Sequence, residues 1–235
     1  ASLMSPSLMK ALEAARAVAC LNNLKLCGLA LTTYANDFNG WVPGSQVYAN
    51  NGIPWTGMLT DVSPRAHAPL AGNYIGDPKA FFCPSAFYPE GGYRGNLPWD
   101  NWRWTYGMNG VVDYGGKTVK WQGQGVWHWT AYLDGGGAHR WIRLFSVTTP
   151  SKKPLVGDTV NNDPNNPEHF AQKRQICEWL PSGHYQGQTL HARHQEKVNL
   201  WFADGRLAPS SAADLGEKYE VKYCSLPSGD IFPCF

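Results

Sequence analysis

His184, His191 and His194 fall within eleven residues of one another, with Cys177 upstream and Asp204 downstream. Imidazole, thiolate and carboxylate are the groups that bind zinc, and a zinc centre needs three or four of them at ligand geometry. The run Cys-x6-His-x6-His-x2-His fits no standard structural zinc spacing, so the sequence predicts no metal set among these residues. His194 is instead expected to hydrogen-bond across a hairpin to Asp204, or to backbone, and so to fix the turn. A metal-dependent hydrolase using the three histidines is the rival reading. Asp158, Asp204 and the run Asn161–Asp163 offer oxygen ligands suited to calcium, but no Asp-x-Asp-x-Asp-Gly loop is present. Turn-building is the ordinary work of Asp and Asn. No cofactor is therefore expected, with calcium at these oxygens the one ion left open.

The tryptophans raise a different chemistry. Trp102 and Trp104, and again Trp127 and Trp129, alternate at period two as residues of half-buried strands do. Paired indoles on one strand face could stack on pyranose rings and bind polysaccharide. Against that, large rings also fill cores in a chain rich in loops. Catalytic signatures fail one by one. Gly115-Gly116-Lys117-Thr118 ends like a phosphate loop, but position 111, where the upstream Gly belongs, is Val. Ser7-Leu8-Met9-Lys10 has the Ser-x-x-Lys spacing of penicillin-recognising enzymes without their companion motifs. No carboxylate pair stands out as acid and base. The expectation is a protein that is not an enzyme.

These residues must be positioned by 235 residues with a formal net charge of +2, only 16% of them charged, and rich in Gly (25), Pro (17) and Trp (11). No polybasic run is present, so a nucleic-acid partner is not expected. Turn-rich β structure with long ordered loops suits such a composition. Six cysteines occur, at 20, 27, 83, 177, 224 and 234, with no CxxC pair. Cys20 and Cys27 lie seven apart on a predicted helix, about 10 Å along its axis, too far to bridge. Cys224 and Cys234 would close a short C-terminal loop and are the first expected disulfide. Cys20 with Cys83 is a second, tying the helix to the loop after it. No apolar run of 18 or more residues occurs, so the sequence given holds neither a membrane span nor a signal peptide.

Ser5-Pro6 predicts a helix start, with Ser as N-cap and Pro at the first helical position. Cys20, Leu24, Cys27, Leu31, Tyr34 and Phe38 recur at spacings of 4, 3, 4, 3 and 4, one apolar stripe facing a core. Asn39-Gly40 is a stop signal. Before Cys20 the pattern loosens, and this end is expected to project. Pro and Gly then break the chain from Trp41 to about Pro98. A stretch reaching about residue 145 holds seven of the eleven tryptophans. Lys153 to Asp158 reads as a short strand. Val198 to Leu207 around Asp204-Gly205 reads as a hairpin with an Asp-Gly turn. The organisation expected is a helix over 1–40 and a β-rich domain over 41–235. That domain carries a Trp-rich insertion at about 86–145 and a hairpin at about 196–208. One helix followed by antiparallel strands is an α+β layout.

Several segments resemble prepilin-type proteins of planctomycete and related bacteria that carry a His-x9-Asp-Gly motif. Cys20, Asn23, Lys25 and Gly28 fall as in the family's helix core, "Cys-x-Asn-Asn-Leu-Lys-Gln-x-Gly". Tyr34, Asp37, Gly40 and Pro43 match its exit, "Tyr-x-x-Asp-x-x-Gly-x-x-Pro". Phe82-Cys83-Pro84-Ser85 is similar to its "Phe-x-Cys-Pro-Ser" segment. His194 and Asp204-Gly205 have the spacing of the motif itself, and Tyr106 to Asn109 and Pro150 to Asp158 follow the usual order. Leu26 stands where Gln is usual, and Arg206 where the hairpin often continues with His. The resemblance implies a pilin-like fold, a long N-terminal helix packed on an antiparallel sheet. It implies a preceding apolar segment that anchors the precursor in the inner membrane, the only membrane contact expected. The globular domain would then stand in the periplasm or on an extracellular filament, as a pseudopilin-like subunit of a type II secretion or type IV pilus-like assembly. Its partners would be other such subunits, through the helix. A secreted or surface carbohydrate-binding protein with a Trp-rich face is the alternative.

Overall fold

Pro6 begins a helix that runs to Asp37, 32 residues and roughly 48 Å at 1.5 Å per residue. Ser5 occupies the N-cap position, but its hydroxyl pairs with that of Ser7 at 2.7 Å rather than with the helix backbone. At the other end Asn39 (φ 53°) and Gly40 (φ 87°) turn left-handed, and the Gly40 N–H donates to the Ala35 carbonyl at 2.7 Å. That six-to-one bond is the closure a helix uses to satisfy its last carbonyls. The buried residues of this helix, α1, are Cys20, Leu24, Cys27, Gly28, Ala30, Leu31, Tyr34 and Ala35. Phe38 caps the stripe, half-buried and stacked on Tyr34. Pro6 to Leu12 are exposed, so the first turns project as expected.

The computed structural model describes residues 5–47, 53–60, 73–86, 105–109, 113–114, 117–118, 127–130, 139–147, 149–161, 178–179, 188–219, 221–228 and 230–234. Among them the strands are β1 (Trp41–Val47), β2 (Ile53–Pro54), β3 (Gly107–Asn109), β4 (Asp113–Tyr114), β5 (Lys117–Thr118), β6 (Trp127–Thr130), β7 (His139–Arg143) and β8 (Pro154–Gly157). There follow β9 (Thr159–Asn161), β10 (Glu178–Trp179), β11 (Gln188–His191), β12 (Lys197–Phe202), β13 (Leu207–Ser211), β14 (Tyr223–Ser225) and β15 (Ile231–Pro233). Their orders are β2-β1-β7-β6, β10-β3-β8-β12-β13 and β15-β14-β11-β9, with β4-β5 as a separate ribbon. Pairing is antiparallel except for β3 with β10 and β11 with β14, which run parallel. A long helix with largely antiparallel sheets makes the fold α+β. Among the described residues no helix is long and apolar enough to cross a membrane.

β12 divides the interior because successive side chains on a strand face opposite ways. Trp201 joins the core built on α1, with Leu24, Leu31, Tyr106 and Val156. Val198, Leu200 and Phe202 join a second core with Leu190, Leu215, Val221, Cys224 and Cys234. The helix Ala212–Tyr219 packs into that second core through Leu215 and Tyr219. The predicted hairpin forms as β12 and β13, with Asp204-Gly205 at its tip, and extends to Ser211 rather than 208. Gly205 adopts φ 84°, and the Arg206 N–H donates to Asp204 Oδ1 at 3.0 Å.

Gly28 shows why α1 can lie so close to this sheet. A Cβ there would sit 2.1 Å from Trp201 Nε1, so only a glycine lets the indole rest on the helix backbone.

Candidate functional site

Four buried side chains from four separate segments meet where α1 crosses the central sheet: Cys20, Cys83, Asp158 and His194. Their ligand atoms all lie within 4.8 Å of one another. Among the described residues no other group of three or more His, Cys, Asp or Glu side chains converges in this way.

Each segment holds its residue by local means. Cys20 is the first buried position of the α1 stripe, and the Tyr106 hydroxyl donates to its Sγ at 3.2 Å. Cys83 follows the 3-10 turn Pro78–Phe81, which Asp77 caps by accepting the Lys79 N–H at 2.9 Å. A turn then forms from Cys83 to Ala86, with the Ala86 N–H donating to the Cys83 carbonyl at 2.9 Å and exposed Pro84 at its second position. Asn23 steadies the same loop by donating from Nδ2 to the Phe82 carbonyl at 2.8 Å. Asp158 is the single residue between β8 and β9. Its backbone exchanges bonds with Asn199 and His191, and its Oδ2 accepts the Asn199 N–H at 3.2 Å.

His194 precedes a tight turn into β12, closed by reciprocal backbone bonds with Lys197 at 3.2 and 3.0 Å. Gln195 (φ 52°) and Glu196 (φ 60°) are both left-handed there. That conformation normally calls for Asn-Gly, and each side chain in it costs about 1–2 kcal/mol. Strain of this kind persists only where the surroundings over-determine it.

The contacts inside the cluster are short. Cys20 Sγ lies 3.4 Å from both Asp158 oxygens, Cys83 Sγ lies 3.1 Å from His194 Nε2, and His194 Nε2 lies 3.5 Å from Asp158 Oδ2. The two sulfurs, like the other ligand atoms of the group, lie within 4.8 Å of each other. On its far side His194 Nδ1 lies 3.1 Å from Oε1 of Glu13, which in turn accepts from Ser85 Oγ at 3.0 Å. A carboxylate oxygen accepts, so Nδ1 donates to Glu13, and Nε2 faces Cys83 and Asp158. Arg193 Nε stands 4.0 Å from Asp158 Oδ1, and its guanidinium also reaches the Thr159 carbonyl.

Electrostatics match this crowding. Burial pushes the Asp158 carboxyl up to about 7, aided by the neighbouring Cys83 and opposed by Arg193 and His194. Burial pulls the His194 imidazole down, but Cys83, Asp158 and Glu13 together outweigh it and hold it up to about 9. Burial raises the Cys20 thiol, and Cys83 and Asp158 raise it further. Cys83 goes the other way: despite burial, its bonds to Cys20 and His194 and the charge of Arg193 bring it well below the ordinary thiol range.

Two expectations change here. The His194 side chain does not reach Asp204; it turns inward to Cys83, Asp158 and Glu13 because its tight turn aims it under α1. Asp204 stays exposed at the hairpin tip, facing Arg206. Asp158 therefore does not join Asp204 as a calcium pair; it lies in the thiol cluster. Of the other histidines, His191 is buried on β11, and His184, like Cys177 and Asp163, lies outside the described residues.

The remaining predicted residues have mainly structural places. Tyr34 is buried against Phe38 and Tyr74, and Asp37 accepts the Tyr74 hydroxyl at 2.8 Å. Lys25 is exposed. Trp127 and Trp129 lie on β6, and Trp102 and Trp104 fall outside the described residues. All five described cysteines are free thiols, so neither expected disulfide, Cys224 with Cys234 or Cys20 with Cys83, is formed in this structure. Sequence reasoning gave no site role to Glu13, Tyr106 or Arg193, although Tyr106 and Arg193 lie in segments of the resemblance. The signal that was available is that the four clustered residues each come from a different segment of the prepilin-type resemblance.

Comparison with known proteins gives one family match. Residues 9–68, about a quarter of the chain, fit the model for a protein of unknown function, DUF1559. The match covers most of α1, β1 and β2 and stops short of Cys83, Asp158 and His194. No curated protein and no solved structure matches the chain.

Proposed function

We propose that this protein is an exported, non-catalytic, pseudopilin-like subunit that assembles with others of its kind through α1. The observation that carries the reading is that α1 is apolar on two sides. Cys20, Leu24, Cys27 and Leu31 face the core, whereas Leu8, Leu12, Leu26 and Leu29 are exposed, Leu26 by 50% and Leu29 by 64%. At 100° per residue the second set is centred roughly 140° around the helix from the first. Val18, exposed by 59%, widens the uncovered side. A helix that fed only one core would carry polar residues there. The occupant that fits is the same helix of a neighbouring subunit, because the exposed strip runs on into the projecting first turns. Before assembly an apolar segment preceding Ala1 would hold the precursor in the membrane. The DUF1559 match over 9–68 supports the reading, since it falls on this helix. In an oxidising compartment Cys224 and Cys234 close as a disulfide.

The test has two parts. The gene upstream of Ala1 should encode a short basic leader ending in Gly, then Phe-Thr-Leu-Ile-Glu and an apolar run. In the native host, the protein should appear in sheared filament or envelope fractions, and Leu26→Gln with Leu29→Gln should remove it while leaving the domain folded. A conventional cleaved signal with an Ala-x-Ala site, and a free monomer unaffected by those substitutions, would contradict the proposal.

A further inference from the structure

The geometry points to a structural zinc-type site at Cys20, Cys83, Asp158 and His194, a metal centre joining α1 to the sheet. Four-coordinate zinc with bonds of about 2.0–2.3 Å holds its ligands roughly 3.3–3.8 Å apart along the tetrahedron's edges. The separations of 3.4 Å (Cys20 to Asp158) and 3.5 Å (His194 to Asp158) fall in that range, that of 3.1 Å (Cys83 to His194) lies just below it, and all four ligand atoms are within 4.8 Å of one another. Two sulfurs, one imidazole nitrogen and one carboxylate oxygen form a donor set that favours zinc over calcium or magnesium, which prefer all-oxygen shells. All four residues are at most 3% exposed, so the set is closed and leaves no position for substrate.

The surroundings are those of a metal site as well. His194 turns Nε2 to the other three ligands and gives Nδ1 to Glu13, the carboxylate–histidine arrangement that orients imidazole ligands. Tyr106 donates to Cys20 Sγ and Asn199 N–H to Asp158. Two thiolates and a carboxylate around a divalent cation leave one net negative charge, and Arg193 beside Asp158 offsets it. The simpler alternatives are a Cys20–Cys83 disulfide and a hydrogen-bonded network of neutral groups. Neither calls for four metal-ligand side chains from four separate segments to converge in one closed, buried group with the imidazole held by a second carboxylate. The inference does not depend on the filament reading.

The test uses the purified chain, reduced, stripped of metal and titrated with Co2+ and then Zn2+. Tetrahedral cobalt bands with thiolate charge transfer should saturate at one equivalent per chain and bleach when zinc is added. Cys83→Ser and His194→Ala should abolish the signal, whereas Cys224→Ser with Cys234→Ser should retain it. Because ligand variants risk misfolding, Glu13→Gln supplies a second arm: Glu13 is a partly exposed positioning residue, and its loss should weaken binding about 10–100-fold. Absence of one-to-one binding by the reduced protein would overturn the proposal. So would a Cys20–Cys83 disulfide that re-forms with equimolar zinc present, or binding unchanged in both Cys83→Ser and Glu13→Gln.

Discussion

Cys20 with Cys83 and Cys224 with Cys234 are two pairs of buried free thiols, one in each core, and they keep different company. The first pair joins residues 63 positions apart and has Asp158 and His194 at its side. The second lies ten residues apart in the chain among apolar side chains, with Cys234 Sγ donating to the Phe232 carbonyl at 3.7 Å. Sulfur alone does not decide the chemistry of a cysteine pair. Added nitrogen and oxygen ligands make the first pair a metal site; among the described residues no such ligand group includes the second, for which a disulfide in an oxidising compartment is the proposed cross-link.

Reagents that distinguish the pairs give the largest effects. With free zinc about 1,000-fold above its Kd, the first site contributes about 4 kcal/mol, and chelation should lower Tm by roughly 8–16 °C. The second pair should ignore the chelator. Reducing agent should instead remove the C-terminal bridge at a cost of at most about 3 kcal/mol, set by its short loop. Calorimetry with each reagent alone and with both checks this, and a chelator effect that requires prior reduction would break the distinction.

A substitution on the helix side should sharpen it. Gly28→Ala drives a methyl into the Trp201 indole and should destabilise by about 2–3 kcal/mol, read by urea unfolding. Because it lifts α1 from the sheet, it should also weaken metal binding while leaving oxidation of Cys224 and Cys234 unchanged.

The smallest effects belong to the second core. Ser211 and Asp214 cap the helix Ala212–Tyr219 reciprocally: the Ser211 N–H donates to Asp214 Oδ2 and the Asp214 N–H donates to Ser211 Oγ, both at 3.2 Å. Asp214→Ala should cost about 1 kcal/mol. Lys218, with the Ser211 hydroxyl and N–H, holds the Asp214 carboxyl down at about 2. A depressed carboxylate stabilises the fold above its unfolded value of about 4 and loses that contribution as pH falls towards 2. Wild type and Asp214→Ala should therefore converge in stability between about pH 4 and 2, as acid titration of the unfolding midpoint would show.

Local patterns made α1 and the Asp204-Gly205 hairpin legible in the sequence. The stripe from Cys20 to Tyr34 and the stop at Asn39-Gly40 depend on neighbours three or four residues away, and the hairpin on two turn residues. The sheet orders were not legible, since pairs such as β3 with β10 depend on contacts far apart in the chain. The cluster was half legible. Cys20 and Cys83 suggested a tie between helix and loop, but ligands at 20, 83, 158 and 194 lie beyond any zinc spacing rule. The Gln195-Glu196 turn that aims His194 inward has none of the usual turn residues, so His194 is expected from sequence to bond to Asp204 or to backbone instead.

Anomalous diffraction at the zinc edge, from crystals of the reduced, zinc-supplemented protein, tests the centre of this account most directly. The account predicts one peak, about 2.0–2.3 Å from Cys20 Sγ, Cys83 Sγ, His194 Nε2 and an Asp158 oxygen. Continuous density between the two sulfurs at about 2.05 Å, with no peak beside them, would contradict it.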